Sequence, residues 1–162
     1  MVKHLIADDA RDDRQDFGIL LGLAFNAFAT ELRAAVVAAG FADLPSSFGY
    51  VARNIAHEPL TLTELAARLG ITSPGALKIV QEMEATGYLE RFADESDARA
   101  KRHRLTKRGR AALAVARAFH RDFEKGLAKQ VGEKKVKALR EALAELVNRH
   151  ETEKQPLAIR PM

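Results

Sequence analysis

The sequence predicts a mainly α-helical protein with one small β-hairpin. Three observations predict this fold class. Apolar residues recur at steps of three and four near both termini, two short amphipathic helices follow each other across a tight turn, and a basic hairpin comes directly after them. The 162 residues, 47% hydrophobic and 30% charged, are typical of one globular domain. The absence of cysteine excludes disulfides and thiolate sites, and fits a cytoplasmic protein.

The N-terminal segment predicts one long helix over residues 10–39. Aspartates at its start suit the positive end of the helix dipole, and Gly40 suits its C-terminal end. The longest uninterrupted apolar runs, 17–25 and 34–42, hold nine residues each, whereas a membrane-spanning helix needs about 20. We therefore expect no membrane segment. The apolar stripe of this helix consists of Phe17, Leu20, Leu21, Ala24, Phe25, Phe28 and Leu32.

Two further helices are predicted before the middle of the chain. Pro45 opens the first, which runs to about His57, where Glu58-Pro59 ends it. Thr61 and Glu64 then have the spacing of a capping box, so they mark the start of the next helix. Gly70 ends that helix after about eight residues.

The next segment completes a helix-turn-helix and adds a hairpin. Ser73 as N-cap and Pro74 at the first helical position begin a helix that ends at Thr86-Gly87. Residues 88–92 alternate and are rich in aromatics, which predicts a strand, and 102–106 predict the returning strand. A helix-turn-helix followed at once by a basic hairpin is a winged helix.

Two long helices are predicted after the hairpin. Thr106 caps the first, which runs to about residue 129, and Gly132 separates it from the last. Both terminal regions carry more apolar stripe than one chain of this size needs, so we predict a homodimer built from them. The alternative is that the terminal helices pack on each other within one chain. The narrow seam of the last helix comprises Val136, Leu139, Leu143 and Leu146.

The excess positive charge of the chain lies in one segment. Residues 99–110 hold seven lysines or arginines and no acid, while the whole chain has a net charge of only +4. A single basic patch indicates a docking surface for a phosphate backbone. A merely solvated run of charge is the alternative interpretation.

The order of these elements resembles the MarR (multiple antibiotic resistance regulator) family of winged-helix transcription factors over about residues 12–150. The helix-turn-helix "LTELAARLGITSPGALKIVQEMEATGYLER" carries one part of the resemblance. The wing signature D-x-R followed by L-T-x-x-G carries the other, as Asp97, Arg99, Leu105, Thr106 and Gly109. Leu77 and Glu82 depart from residue types common in the family, which puts the base-reading set in question rather than the docking mode.

The resemblance implies a dimeric transcriptional regulator, most simply a repressor, that binds a pseudo-palindromic operator in double-stranded DNA. The helical dimerisation region would comprise 1–44 and 110–162, and the DNA-binding lobe 45–109. Many members of the family release DNA when a small, often aromatic or phenolic, molecule binds between these regions. A winged-helix module that binds a protein partner without DNA is the alternative function.

The residues expected at DNA lie on the second helix of the helix-turn-helix and on the wing. Arg99 suits a narrow minor groove, and Asp97 supports the wing by pairing with an arginine. Lysine suits guanine and glutamine suits adenine in the major groove, although Lys78 equally suits a phosphate. The predicted contacts are Thr72, Ser73, Pro74, Gly75, Lys78, Gln81, Arg99, Lys101, Arg102 and Arg104.

A ligand pocket is predicted from polar and aromatic residues near the junction of the two regions, namely Phe17, Asn26, Phe48 and His57. For each aromatic residue, simple core packing is the alternative interpretation. Five scattered histidines have no ligand spacing, so we expect neither a metal nor a cofactor. No catalytic constellation is present, so we expect no enzyme.

Overall fold

The computed structural model describes residues 16–93 and 101–153, and within them six helices and three short strands. In chain order the elements are α1 (Phe17–Ala38), α2 (Phe48–Ile55), β1 (Leu60–Thr61), α3 (Leu62–Leu69), α4 (Ser73–Ala85), β2 (Leu89–Ala93), β3 (Lys101–Leu105), α5 (Lys107–Val131) and α6 (Glu133–Glu153). The predicted fold class, a winged helix-turn-helix between long terminal helices, is confirmed. The aspartates predicted at the start of the first helix, at positions 8–13, lie outside the described residues.

The helix-turn-helix consists of α3 and α4, and local capping sets its ends. Thr61 and Glu64 form the predicted capping box, in which the Thr61 amide donates to Glu64 Oε2 at 2.8 Å. Gly70 ends α3 in the left-handed conformation, with φ of 62°. The predicted N-cap of α4 was wrong by one residue. Thr72 is the cap, because its Oγ1 accepts from Gly75 and its carbonyl already accepts from Ala76.

The wing sheet has the strand order β1-β3-β2 and is antiparallel throughout. The β2–β3 hairpin was predicted to within a residue, whereas β1 was not predicted at all. Leu60 pairs with His103 and Thr61 with Arg102, so the short connection before α3 becomes the edge strand of the wing sheet. The sheet therefore joins the wing directly to the start of the helix-turn-helix.

The core of the winged-helix lobe is closed by Tyr88, which is completely buried. Its ring lies 5.4 Å from that of Phe48, and its phenolic hydroxyl donates to Asp43 at 2.7 Å. Burial, followed by the hydrogen bond to Asp43, raises the pKa of Tyr88 to about 12. Tyr88 thus joins α2, the connection before α2 and the end of α4 in one cluster. We refer to α4, the second helix of the helix-turn-helix, as the recognition helix.

Asp43 also binds the first turn of α5. Arg108 donates to both carboxylate oxygens of Asp43, at 2.7 and 3.0 Å, and its guanidinium lies 4.4 Å from the centre of the Tyr88 ring. A second guanidinium nitrogen of Arg108 donates to the carbonyl oxygen of Thr86 at 2.5 Å. The hydrogen bond from Tyr88, and then the charge of Arg108, hold the pKa of Asp43 below its usual value.

The terminal helices pack in the order α1, α5, α6, and much of their apolar surface remains exposed. α5 packs against both of the others, and α1 contributes only Val36 to the buried residues. Long apolar side chains that α1 and α6 expose are Phe17, Ile19, Leu20, Leu23, Phe25, Val37, Leu139, Leu143, Leu146 and Val147.

The expectation of no membrane segment rested on the lengths of the two apolar runs. α1, which contains the first run and the beginning of the second, is a 22-residue helix with a mean hydropathy of 1.4, and little of it is buried. By length and composition alone this helix passes the test for a membrane span. The same pattern is expected of a helix whose apolar face a partner covers.

Gly109 provides the sharpest steric constraint in the lobe and generates a stability prediction. A Cβ at this position would overlap the backbone carbonyl oxygen of Tyr88 and lie 3.1 Å from Leu105 Cδ2. We expect Gly109→Ala to lower the free energy of unfolding by about 1–3 kcal/mol, because rigid backbone must move.

Chemical denaturation of the wild type and of Gly109→Ala measures this difference in the free energy of unfolding. Gly126→Ala is the matched control, because Gly126 lies in the same helix and a Cβ there meets nothing within 4 Å. We expect the control to be neutral or more stable by up to about 1 kcal/mol. Equal stability of the two variants would contradict the packing argument.

Candidate nucleic-acid interface and adjoining cavity

The outer face of α4 is exposed and presents small and polar residues. Thr72, Ser73 and Pro74 lie exposed at its N-terminus, and Gly75 follows them. Lys78 and Gln81 lie about one turn apart on the same exposed face, opposite the buried Ala76, Val80 and Met83. The positive end of the helix dipole favours an anion at this N-terminus, although Pro74 has no N–H and the Gly75 amide already donates to Thr72 Oγ1. The arrangement can accept a phosphate and place a lysine and a glutamine beside it.

The wing strand β3 carries three of the predicted contact residues, and the structure separates their roles. Lys101 is exposed and forms no ion pair with another described residue. Arg104 Nε donates to Glu90 Oε1 at 2.7 Å, and its guanidinium lies 4.6 Å from the centre of the Phe92 ring. Arg104 is therefore held by its own sheet, with half of its side chain still exposed.

Arg102 points into the lobe. It donates to the carbonyl oxygen of Pro59 at 2.9 Å and to Glu64 Oε2 at 3.3 Å, and Glu64 also closes the capping box of α3. The backbone hydrogen bond from Thr61, followed by its hydroxyl, lowers the pKa of Glu64, and the charge of Arg102 adds to this. Arg102 thus stabilises the junction of wing and helix-turn-helix. Asp97 and Arg99, predicted at the wing, lie outside the described residues.

A cavity of about 670 Å³ lies between the terminal helices and the winged-helix lobe. Its wall is formed by α1, the connection before α2, α2 itself, α4 and α5. Aromatic rings cover much of it, and Phe28 lies 4.9 Å from the His120 ring and 5.4 Å from the Phe119 ring. A ligand in this cavity would contact the recognition helix and the terminal helices together.

Positively charged groups collect at the polar side of this cavity. Arg33 donates to the carbonyl oxygens of Leu44 and Ala42, at 2.7 and 2.9 Å, and so holds the connection before α2. Arg53 Nη2 lies 3.0 Å from His120 Nε2. Within the described part of the chain, Arg53 has no carboxylate partner.

Burial, and then the charge of Arg53, lower the pKa of His120. The neutral ring accepts the hydrogen bond from Arg53 through Nε2. The cavity therefore combines apolar walls with a guanidinium that forms no ion pair with a described acid, although Asp43 and Glu82 also line the cavity.

The predicted ligand residues fall in different places. Phe48 lines the cavity and is buried. Phe17 is 69% exposed at the start of α1, Asn26 is exposed farther along that helix, and His57 is exposed just after α2. None of these three lines the cavity.

Residues that sequence reasoning left out of the pocket form its polar side. Arg33, Arg53 and His120 all line the cavity. The Arg53–His120 contact joins positions 67 residues apart in the chain. The one available signal was that Arg53 lies on the short apolar helix α2, whose residues Val51, Ala52 and Ile55 are buried.

Comparison with known proteins relates the central segment of the chain to one family. The model of the MarR family matches residues 43–100, which include α2, the helix-turn-helix and β2. No curated protein sequence matches the chain.

Solved structures share the fold over most of the chain. FabT of Streptococcus pneumoniae in complex with DNA has a TM-score of 0.74 at 21% identity, covering 88% of this chain and all of that one. The transcriptional repressor CouR, bound to a 23-mer DNA duplex, has a TM-score of 0.63 at 27% identity, with 80% and 91% covered. MepR of S. aureus, bound to ethidium bromide, has a TM-score of 0.59 at 18% identity, with 82% and 94% covered. The MarR family model therefore covers the winged-helix segment of this chain, and the chain shares the fold of these solved structures over most of its length.

Proposed function

We propose that this chain is a homodimeric transcriptional repressor that binds a pseudo-palindromic operator and releases it when a small molecule fills the cavity. The observation that carries the proposal is the exposed face of α4, with the positive end of the helix dipole at its N-terminus and Lys78 and Gln81 along the same face. A helix of this kind docks in the major groove by its N-terminal end. FabT and CouR, which share the fold, are both described in complexes with DNA.

The contacts divide by role. The α4 N-terminus and Lys101 supply phosphate contacts, which position the lobe, and Gln81 reads an adenine edge. Lys78 reaches either a guanine or a phosphate. Arg99 enters the minor groove at the wing. Because Arg102 is bound within the lobe, we assign it to positioning the wing rather than to DNA.

The dimer is supported by the apolar surfaces of α1 and α6. Their exposed side chains form faces that α5, lying between them, leaves uncovered. Apolar surface of this extent favours a protein interface, since monomers rarely expose it. A second copy of the chain presents the same faces and so covers them by two-fold symmetry.

The same argument assigns α1 to the dimer rather than to a membrane. Its C-terminal half includes Arg33, which holds the connection before α2, and Val36, which is buried. A helix used in this way cannot leave the lobe. We accordingly propose a cytoplasmic protein, with 1–44 and 110–162 forming the dimerisation region and 45–109 the DNA-binding lobe.

Release by a ligand follows from what the cavity touches. Glu82 on α4 and Phe28 on α1 both line the cavity. A bound ligand that favours one distance between the terminal helices and the DNA-binding lobe therefore shifts the distance between the two recognition helices of the dimer. Both half-sites are then no longer engaged together, and DNA affinity falls.

The charge of the cavity favours an aromatic anion. The aromatic side chains of the wall pack against a ring, and the planar guanidinium of Arg53 donates two hydrogen bonds to a carboxylate. MepR is described with ethidium bromide, an aromatic cation. An aromatic ligand is common to MepR and to this proposal, but Arg53, which has no carboxylate partner among the described residues, favours an anion here rather than a cation.

The DNA-binding proposal predicts that Lys78→Ala weakens binding to the operator. Fluorescence anisotropy with the duplex upstream of the protein's own gene, across a series of salt concentrations, measures this. If Lys78 meets a phosphate, we expect the slope of log affinity against log salt to fall by about 0.9, alike for all sequences. If it meets guanine, we expect a loss of about 1–3 kcal/mol confined to one base position.

Lys125→Ala is the control for this experiment, since it removes an exposed lysine from α5, away from the interface. It should leave both affinity and salt slope unchanged. Failure of the wild-type protein to bind any duplex at low salt would overturn the proposal and favour a winged-helix module that binds a protein partner.

The dimer proposal predicts that Leu143→Glu separates the protomers. A carboxylate placed on the apolar face of α6 must be desolvated in the interface, so we expect dimer dissociation to become at least about tenfold easier. Light scattering across a dilution series measures the mass. Ala144→Glu puts the same charge on the polar side of α6 and should remain dimeric. A monomeric wild-type protein at micromolar concentration would contradict the dimer.

The ligand proposal predicts that benzoate binds the cavity and that benzyl alcohol binds far more weakly. We expect Arg53→Gln to weaken benzoate binding about tenfold, because a charge-assisted pair is lost. Arg121→Gln, on α5 and outside the cavity wall, is the control. Titration calorimetry measures both.

This binding also has a predicted pH dependence. His120 is neutral in the empty cavity because its pKa is lowered, and a bound carboxylate favours its protonated form. Benzoate affinity should therefore increase as the pH falls through the His120 pKa. Equal binding of benzyl alcohol and benzoate would contradict the proposed class of ligand.

A further inference from the structure

His103 is a buried titratable group that the DNA-binding mechanism does not use. It lies on β3 with 5% of its surface exposed, although both of its chain neighbours are arginines. One ring nitrogen, Nδ1, lies 3.3 Å from the carbonyl oxygen of Leu60 on β1. The other, Nε2, lies 3.6 Å from Oε1 of Glu84 on α4. The ring therefore bridges the edge strand of the wing sheet and the recognition helix.

Both groups that face the ring are acceptors. A carbonyl oxygen donates nothing, and an ionised carboxylate donates nothing. A neutral imidazole has one N–H, so it donates to only one of the two and turns a lone pair toward the other. The bridge is complete only when one additional proton lies between Nε2 and Oε1, as an imidazolium beside a carboxylate.

Glu84 has no other partner in this position. Its Oε1 is buried and, among the described residues, accepts no hydrogen bond. An unsatisfied buried acceptor costs free energy, and the cost is larger for a charged group. The proton on the bridge removes that cost and the repulsion between the two acceptors together.

The other charged groups on the elements packed against the ring leave Glu84 as its partner. Arg91 on β2 is the cross-strand partner of His103, and Lys101 lies two residues before it on β3. Both are exposed cations. Charged groups of α2, α3 and α5 that have contacts of their own are Arg53 with His120, Arg68 with Glu58, Glu64 with Arg102, Arg108 with Asp43, and Arg110 with the Leu105 carbonyl.

We propose that His103 is a positioning residue that ties the wing to the recognition helix through Glu84 only when the pair holds this proton, so that operator affinity depends on pH. The tie is made at low pH and lost as pH rises. Histidine is the side chain that ordinarily changes charge between pH 5 and 8, and this is the range over which the response is to be tested. Its effect on DNA rests on the proposed function, whereas the tie itself does not.

Glu84→Gln provides a sharp test because the amide has the same shape as the carboxylate, but its hydrogen bond to the His103 ring does not need an additional proton. A glutamine NH₂ donates to the lone pair of a neutral ring, and after an amide flip its oxygen accepts from a protonated one. The variant should therefore keep the tie at every pH. Glu84→Met, of similar length, should lack the tie at every pH.

The first measurement is operator affinity between pH 5.5 and 8.5 at constant ionic strength. We expect the wild-type affinity to fall about tenfold relative to Glu84→Gln between pH 6 and 8, on the scale of one charge-assisted hydrogen bond. Glu82→Gln is the matched control, since it removes an exposed carboxylate from the same helix. It should shift affinity at all pH values equally and retain the wild-type pH profile.

The second measurement uses the protein without DNA, so that it stands even if the operator proposal fails. We expect the melting temperature of the wild type to fall relative to Glu84→Gln as pH rises, because the wild-type tie requires a proton that the glutamine tie does not require. Nitrogen NMR of the wild-type ring, assigned through His103→Gln, should show both ring nitrogens protonated at the low end of the range. His57 and His120 are present in every variant and cancel in the differences.

Parallel melting-temperature profiles for the wild type and Glu84→Gln would overturn the tie. A ring with a single proton at pH 5.5 would also overturn it, and this readout remains decisive if the Glu84 variants fold poorly. A pH-dependent melting temperature with an operator affinity that does not follow it would overturn the link to DNA. Loss of all DNA binding in the wild type would instead count against the proposed function and leave the tie standing.

Discussion

The close approach of α5 to the backbone of Tyr88 is the constraint on which the remainder of this structure depends. The Tyr88 carbonyl oxygen accepts from the Thr106 amide at 3.1 Å, and Gly109 lies against it where a methyl group would not fit. The same tyrosine lies between the end of the recognition helix at Ala85 and the start of β2 at Leu89, and its amide donates to the Met83 carbonyl oxygen at 2.8 Å. The first turn of the long terminal helix is therefore fixed on the residue where recognition helix and wing meet, and any rotation of α5 must move both.

This junction also reaches the cavity. Asp43 lines the cavity, accepts the Tyr88 hydroxyl and binds Arg108, while Arg33 holds the carbonyl oxygens on either side of Asp43. Cavity wall, α5 and the end of α4 thus share one network of charge-assisted hydrogen bonds. Such a network has few intermediate arrangements, because each member satisfies another. A ligand that displaced Asp43 would release Arg108 from the carboxylate and so loosen the hold of α5 on the recognition helix.

Local chemistry made much of this fold predictable. Thr61 with Glu64, Gly70 and Thr106 each act on backbone groups within four residues, so their roles can be read from sequence. β1 was missed because two residues have no periodicity and their partners on β3 lie about 40 residues away.

The polar side of the cavity escaped prediction for the same reason. Arg53 and His120 meet only through the packing of α2 against α5. The predicted N-cap of α4, Ser73, was wrong by one residue because Thr72 and Ser73 are adjacent hydroxyl residues with the same capping chemistry. Only the backbone angles decide which of the two is the cap.

The basic segment shows why composition alone assigns too many residues to DNA. Arg102, Arg104, Arg108 and Arg110 each donate to a carbonyl or a carboxylate of their own lobe. A hydrogen bond to a carbonyl occupies a guanidinium without neutralising it, so Arg110 still adds to the field that attracts a polyanion. Arg104 and Arg108, which face acids, add little. The segment therefore serves two physical purposes, and the residues that hold the wing and α5 in place are largely distinct from those left to meet phosphate.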